Sequence, residues 1–160
     1  MAKETKNEKL KLHPIQMISL GVLELYIKAN ERPDLSKKVE PEIISFSIGH
    51  NEYDKENSTI QVATKIEVGM EKKKAKTPFS MKIEIIGEFK VDENQFPVDK
   101  ILDWAARNAP LIMFPYLREH AYSLTARCGF YPMVLPLMQV PTFKLEIPKK
   151  VAEVKAKSKE

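Results

Sequence analysis

From Ile60 to Val68 apolar and polar residues alternate without interruption. Ile60, Val62, Thr64, Ile66 and Val68 are separated by Gln61, Ala63, Lys65 and Glu67. Successive side chains of a strand point to opposite faces, so this stretch predicts an extended segment with one face buried and one in water. Beyond the charged turn Glu71–Lys76, Pro78 opens a partner of the same kind: Phe79, Met81, Ile83 and Ile85 alternate with Ser80, Lys82 and Glu84, until Ile86 breaks the polar set. Upstream, Ile44, Phe46 and Ile48 alternate with Ser45 and Ser47 and end at Gly49.

The stretch from Leu12 to Lys28 is apolar in both of its alternating sets. Ile15, Met17, Leu23, Leu25 and Ile27 belong to one set, and Ile18, Leu20, Val22 and Tyr26 to the other. Such a strand is either covered on both sides or switches faces at a bulge near Gly21. Asn30 to Pro41, with Pro33, Asp34 and Pro41, reads as a loop. Sequential strands with short links predict an antiparallel meander of four.

After Pro97 the period changes. Val98–Asn108 reads as a short helix, and Pro110 and Pro115 fit a second one if each lies at or near a first turn, where a missing N–H costs nothing. Phe114, Leu117, Ala121, Leu124 and Cys128 are spaced 3, 4, 3, 4, which puts them in one stripe of a helix of about four turns. Gly129 is its expected stop. Tyr131–Pro141 is held extended by Pro132, Pro136 and Pro141. It is also apolar, so it is expected to cover something. The fold class is therefore α+β, a four-stranded antiparallel sheet with one long helix.

The net charge of +4 belongs to the ends of the chain. Residues 1–11 hold four Lys and two Glu, residues 149–160 hold five Lys and two Glu, and residues 12–148 are left with 17 basic and 18 acidic groups. Two basic tails, 1–11 and 149–160, around a nearly neutral domain of residues 12–148 argue against nucleic acid as a partner. No stretch approaches the ~20 apolar residues that span a bilayer. Cys128 is the only cysteine, so no intrachain disulfide forms and a reducing, cytoplasmic setting is expected. His13, His50 and His120 lie in separate elements without a second ligand at metal spacing, and the five isolated glycines form no phosphate loop. Glu119, His120 and Ser123 are neighbours on one helix that point in different directions, too divergent for a catalytic triad. Neither an enzymatic role nor a cofactor or metal is expected.

Residues 108–143 carry a more specific pattern: Phe114, Pro115, Tyr116, Arg118 and Glu119, a helix, then Gly129, Phe130, Pro132, Leu135, Pro136 and Phe143. This resembles the SecB family, and the strands upstream agree with that family's four-stranded sheet in order and length. The resemblance implies an ATP-independent holdase chaperone assembled as a homotetramer, a dimer of dimers, that holds unfolded polypeptide clients during protein export. Its implied client groove takes in Leu23, Leu25, Ile44, Phe46, Ile48, Phe79, Met81, Ile83, Ile85, Met133, Leu135, Leu137 and Met138. The stripe Phe114, Leu117, Ala121, Leu124 and Cys128 is the expected oligomer interface. Contact with the SecA motor is left mainly to Glu24, because Val22 and Lys82 stand where acids are expected. The lid helix that should follow Phe143 is interrupted at Pro148. Two other readings fit: a SecB-like chaperone dedicated to an antitoxin, and, from another class, a small α+β enzyme or ligand carrier.

Overall fold

The computed structural model describes residues 10–40, 44–70, 77–137 and 139. The turn at Glu71–Lys76, Met138 of the expected groove, Phe143 and Pro148 of the lid, residues 1–9 of the first tail and the whole of the second tail lie outside them. Four strands, β1 (Ile15–Ala29), β2 (Ile44–His50), β3 (Thr59–Val68) and β4 (Phe79–Val91), form one antiparallel sheet. A 3-10 turn at Val98–Lys100 leads into α1 (Ile101–Arg107), and α2 (Ala109–Arg127) follows at once. Among the described residues no helix is long and apolar enough to cross a membrane.

The sheet order is β1-β4-β3-β2, which departs from the expected sequential meander. β2, β3 and β4 are linked in sequence, but β1 crosses over to β4, giving a Greek-key order. Length explains the choice: β1 has 15 residues, and β4 with 13 offers nearly its whole span as a ladder, whereas β2 has seven. β1 and β2 are thus the two edges.

The helix-facing side of the sheet is built by the period-two pattern. Phe79, Met81, Ile83, Ile85 and Phe89 of β4 and Ile60, Val62, Ile66 and Val68 of β3 are buried in one core with Met113, Phe114, Leu117 and Ala121 of α2. β1 joins this face through two bulges, at Ile18 and at Leu23, not through one at Gly21. Each adds a residue without a partner, so Met17, Leu20, Val22 and Leu25 stand opposite Phe89, Gly87, Ile85 and Ile83 in turn. Residues of both apolar sets therefore share one face, interrupted twice, while Tyr26, opposite Lys82, lies on the other. The double cover expected for this strand is absent among the described residues, since Ile18, Val22, Leu23 and Leu25 are exposed.

α2 begins at Ala109, earlier than expected, and runs through Pro115. Pro110 lies in the first turn, but Pro115 is inside the helix. Its ring leaves the Leu111 carbonyl without the usual donor, and Leu111 is exposed to water, which keeps that loss small. At the other end Gly129 takes φ +82°, its N–H donates to the Ala126 carbonyl at 3.1 Å, and the Phe130 N–H donates to that of Thr125 at 3.0 Å. This is the paired capping of a left-handed stop that glycine provides most cheaply.

Candidate functional site

The segment after the stop is positioned by a single hydroxyl. Thr125, fully buried in the last turns of α2, donates from Oγ1 to the Ala121 carbonyl at 2.7 Å and accepts the Met133 N–H at 2.9 Å. Phe130 packs on Phe79, their ring centroids 5.1 Å apart. Between and beyond these two anchors Met133 and Leu135 turn inward and are buried, while Tyr131, Val134 and Leu137 turn outward, Val134 at 63% and Leu137 at 81% exposure; burial alternates only from Met133 to Pro136. Pro132 and Pro136 hold the segment extended and have no N–H to satisfy.

The outward side chains form one wall of a groove of about 370 Å³ lined by Val39, Ile44, Tyr131, Pro132, Val134 and Pro136, with Lys38 and Glu40 at its rim. The opposite wall is the crossover loop between β1 and β2. A second depression of about 250 Å³ shares Lys38, Val39 and Glu40 and runs on over Pro78 and Phe130. Most of the charges beside them are paired: Lys38 meets Glu40 at 3.2 Å and Lys37 meets Asp34 at 3.8 Å, and Glu31 adds one acid to the second depression. Hydrogen bonds from the Ser36 hydroxyl and N–H hold the Asp34 carboxyl below the usual carboxylate range. The groove is thus apolar and its rim nearly neutral, an arrangement that takes an extended apolar segment without demanding a particular sequence.

The expected site residues are only partly gathered here. Ile44 lines the groove. Phe46, half-buried, and Ile48, exposed, follow it along β2, and Leu23 and Leu25 are exposed on β1, away from the groove lining. Phe79, Met81, Ile83 and Ile85 are corrected: they are fully buried beneath α2, because β4 is a central strand and its apolar face is the middle of the core. Met133 and Leu135 are corrected as well: the Thr125 and Phe130 anchors hold them against the core, where both are buried. The stripe assigned to an oligomer interface is also corrected, since Phe114, Leu117 and Ala121 lie in the chain's own core and Leu124 and Cys128 pack partly against it. The sequence reading missed Val39, Tyr131, Val134 and above all Thr125, whose only outward sign was a hydroxyl four residues before the glycine stop.

The far face of the sheet is polar and balanced. Glu24 stands opposite Glu84 across the β1–β4 pair, and Lys65 opposite Glu84 across β3–β4. Lys82 bonds Glu24 at 2.6 Å and faces Glu67. The Glu24 hydrogen bond, helped by the charges of Glu24, Glu84 and Glu67 and opposed by partial desolvation, raises the Lys82 ammonium pKa. Val22 is not on this face at all. It stands opposite Ile85 on the helix side, so its apolar nature says nothing about the charge of the wet face.

On α2 the Ser123 hydroxyl donates to Glu119 at 2.6 Å, and His120 Nδ1 lies 3.4 Å from the same carboxylate. The acid thus separates hydroxyl from imidazole, the reverse of a nucleophile–base pair. No group of three or more potential metal ligands occurs among the described residues.

Comparison with known proteins agrees with this architecture. The chain is 32% identical over 112 residues to an uncharacterized protein of Methanocaldococcus jannaschii, covering 69% of this chain and 70% of that one. It shares its fold with a SecB-like chaperone of Mycobacterium tuberculosis, solved in complex with a peptide from the HigA1 antitoxin, at a TM-score of 0.64 and 17% identity over 81% of this chain and 94% of that one. The model of the family described as preprotein translocase subunit SecB matches residues 11–142, a span that contains the sheet, both helices and both walls of the groove, and the chain belongs to the SecB family.

Proposed function

We propose that this protein is an ATP-independent holdase chaperone that binds unfolded polypeptide segments along the groove between the crossover loop and residues 131–137. The observation that carries the reading is the apolar lining of Val39, Ile44 and Val134, facing across the groove below a rim where Lys38 pairs with Glu40. Burying apolar client surface there is favourable by roughly 25 cal/mol per Å², whatever the client's sequence. The test is suppression of aggregation of a chemically unfolded protein in buffer without nucleotide. Suppression is expected near equimolar chaperone, and Val134→Asp, at an exposed position, should abolish most of it without lowering the melting temperature. No suppression by the unaltered protein, or a requirement for nucleotide, overturns the reading.

The active form in this reading is a cytoplasmic tetramer. Its support is the apolar surface that one chain leaves open: Ile18, Leu23 and Leu25 on β1, and Ile112, Tyr116 and Tyr122 on the outer side of α2. The second reading is a chaperone dedicated to an antitoxin. The balanced wet face favours it, because Lys82 neutralises Glu24 where a basic tail of the SecA motor would look for acid. Recovery of co-expressed partners separates the two, since general export predicts many preproteins and the dedicated role predicts one.

A further inference from the structure

The outer edge of β2 extends the site beyond the groove. Among the described residues β2 pairs with β3 on one side only. At the end of that ladder the Asn51 N–H donates to the Gln61 carbonyl at 3.2 Å. Backbone groups of an antiparallel pair turn alternately toward and away from the partner, so Gly49, Ser47 and Ser45 share the orientation of Asn51. The N–H and C=O groups of Phe46 and Ile48 therefore point away from β3, and among the described residues no backbone group bonds to them.

Such an edge is a template for another strand, and native sheets usually blunt it with lysine, proline, an inward charge or a bulge. β2 has none of these. It contains no Lys, Arg, Asp, Glu or Pro, and its register runs without a shift. β1, the opposite edge, is broken by two bulges. Ile44 belongs both to β2 and to the groove wall, so a segment seated in the groove already lies beside the first residue of the edge.

We propose that an extended segment of the client adds to β2 as a fifth strand. Its backbone bonds to Phe46 and Ile48, and its alternate apolar side chains lie on the helix side beside Ile44, Phe46 and Ile48. The proposal rests on the chaperone reading and names how the client is held. Main-chain hydrogen bonds give affinity from groups that nearly every sequence carries, which suits a site that must accept many. A second copy of this chain is the poorer occupant. Seven residues rise roughly 23 Å, and a two-strand seam of that length falls short of the roughly 1,200 Å² of a stable interface.

The probe is a soluble synthetic peptide with valine at alternate positions and threonine or lysine between them, compared with the same peptide N-methylated at every second amide along one edge. Strand addition predicts that the full-length protein binds the first peptide about tenfold or more tightly than the second, because several hydrogen bonds are lost while the side chains stay the same. It also predicts that the amide protons of Phe46 and Ile48 exchange freely in the protein alone and slow when the first peptide is added. Ile48→Pro, which removes an outward N–H and leaves the β3 ladder intact, should weaken binding by a similar factor. Should that variant fail to fold, the two peptides and the exchange rates decide alone. Equal affinity of the two peptides with unprotected β2 amides overturns strand addition while leaving the groove reading in place. Protection of those amides before any peptide is added means that this chain or a second copy already covers the edge, and it overturns the proposal too. Failure to bind either peptide, together with failure to prevent aggregation, overturns both.

Discussion

Two threonines with opposite roles show how much a single buried hydroxyl decides. Thr125 satisfies the Met133 N–H and so fixes which side chains of the following segment face the groove. Thr125→Val keeps the shape and leaves that N–H buried without a partner, a loss of about 1–3 kcal/mol. Urea denaturation should show a midpoint lowered to match, with client binding weakened as the wall loosens, and Thr125→Ser should restore both. Thr64 is fully buried on β3, and among the described residues its Oγ1 has no hydrogen-bond partner. Thr64→Val removes an unsatisfied polar group among Ile48, Ile66 and Ile85 without changing volume, so it should stabilise the chain by about 1 kcal/mol and raise the melting temperature by several degrees. A lower melting temperature would show that the hydroxyl has a partner.

Among the elements, α2 and β4 approach closely where β4 has no side chain. A Cβ on Gly87 would sit 3.1 Å from Phe89 Cε2 and 3.3 Å from Met113 Sδ. Gly87→Val would push the helix off the sheet at its centre, and overpacking of this kind costs about 1–3 kcal/mol. Chemical denaturation of that variant checks the magnitude. The same scale explains β1. A strand with two apolar sets looks like one covered twice, yet two bulges bring Met17, Leu20, Val22 and Leu25 onto one face. Alternation alone does not show a bulge, because the extra residue is visible only against the partner's register.

For the whole molecule, the exposed apolar positions of β1 and of the outer side of α2 predict assembly. Light scattering at micromolar concentration should give a tetramer, and a monomer would remove the reason offered for that surface. The balanced wet face bears on the motor: a contact whose Glu24 is already bound to Lys82 offers little net attraction to a basic tail. Titration calorimetry with the zinc-binding tail of a SecA motor at physiological salt should detect weak or no binding. Submicromolar affinity would return the chain to general export.

Alternation in β3 and β4, the 3-4 stripe of α2 and the Gly129 stop were legible in the sequence, because each follows from local backbone geometry and from which side chains water tolerates. The motif from Phe114 to Pro136 was enough to mark the family. The pairing of β1 with β4, the bulges at Ile18 and Leu23 and the burial of Phe79, Met81, Ile83 and Ile85 under the helix were decided only in three dimensions. So was the inward turn of Met133 and Leu135, which moved the groove onto Val39, Tyr131 and Val134. The physical reason is that local pattern states only that a segment has apolar side chains to bury, while which of them is buried, and which stays free for a client, depends on the neighbour that packs against it.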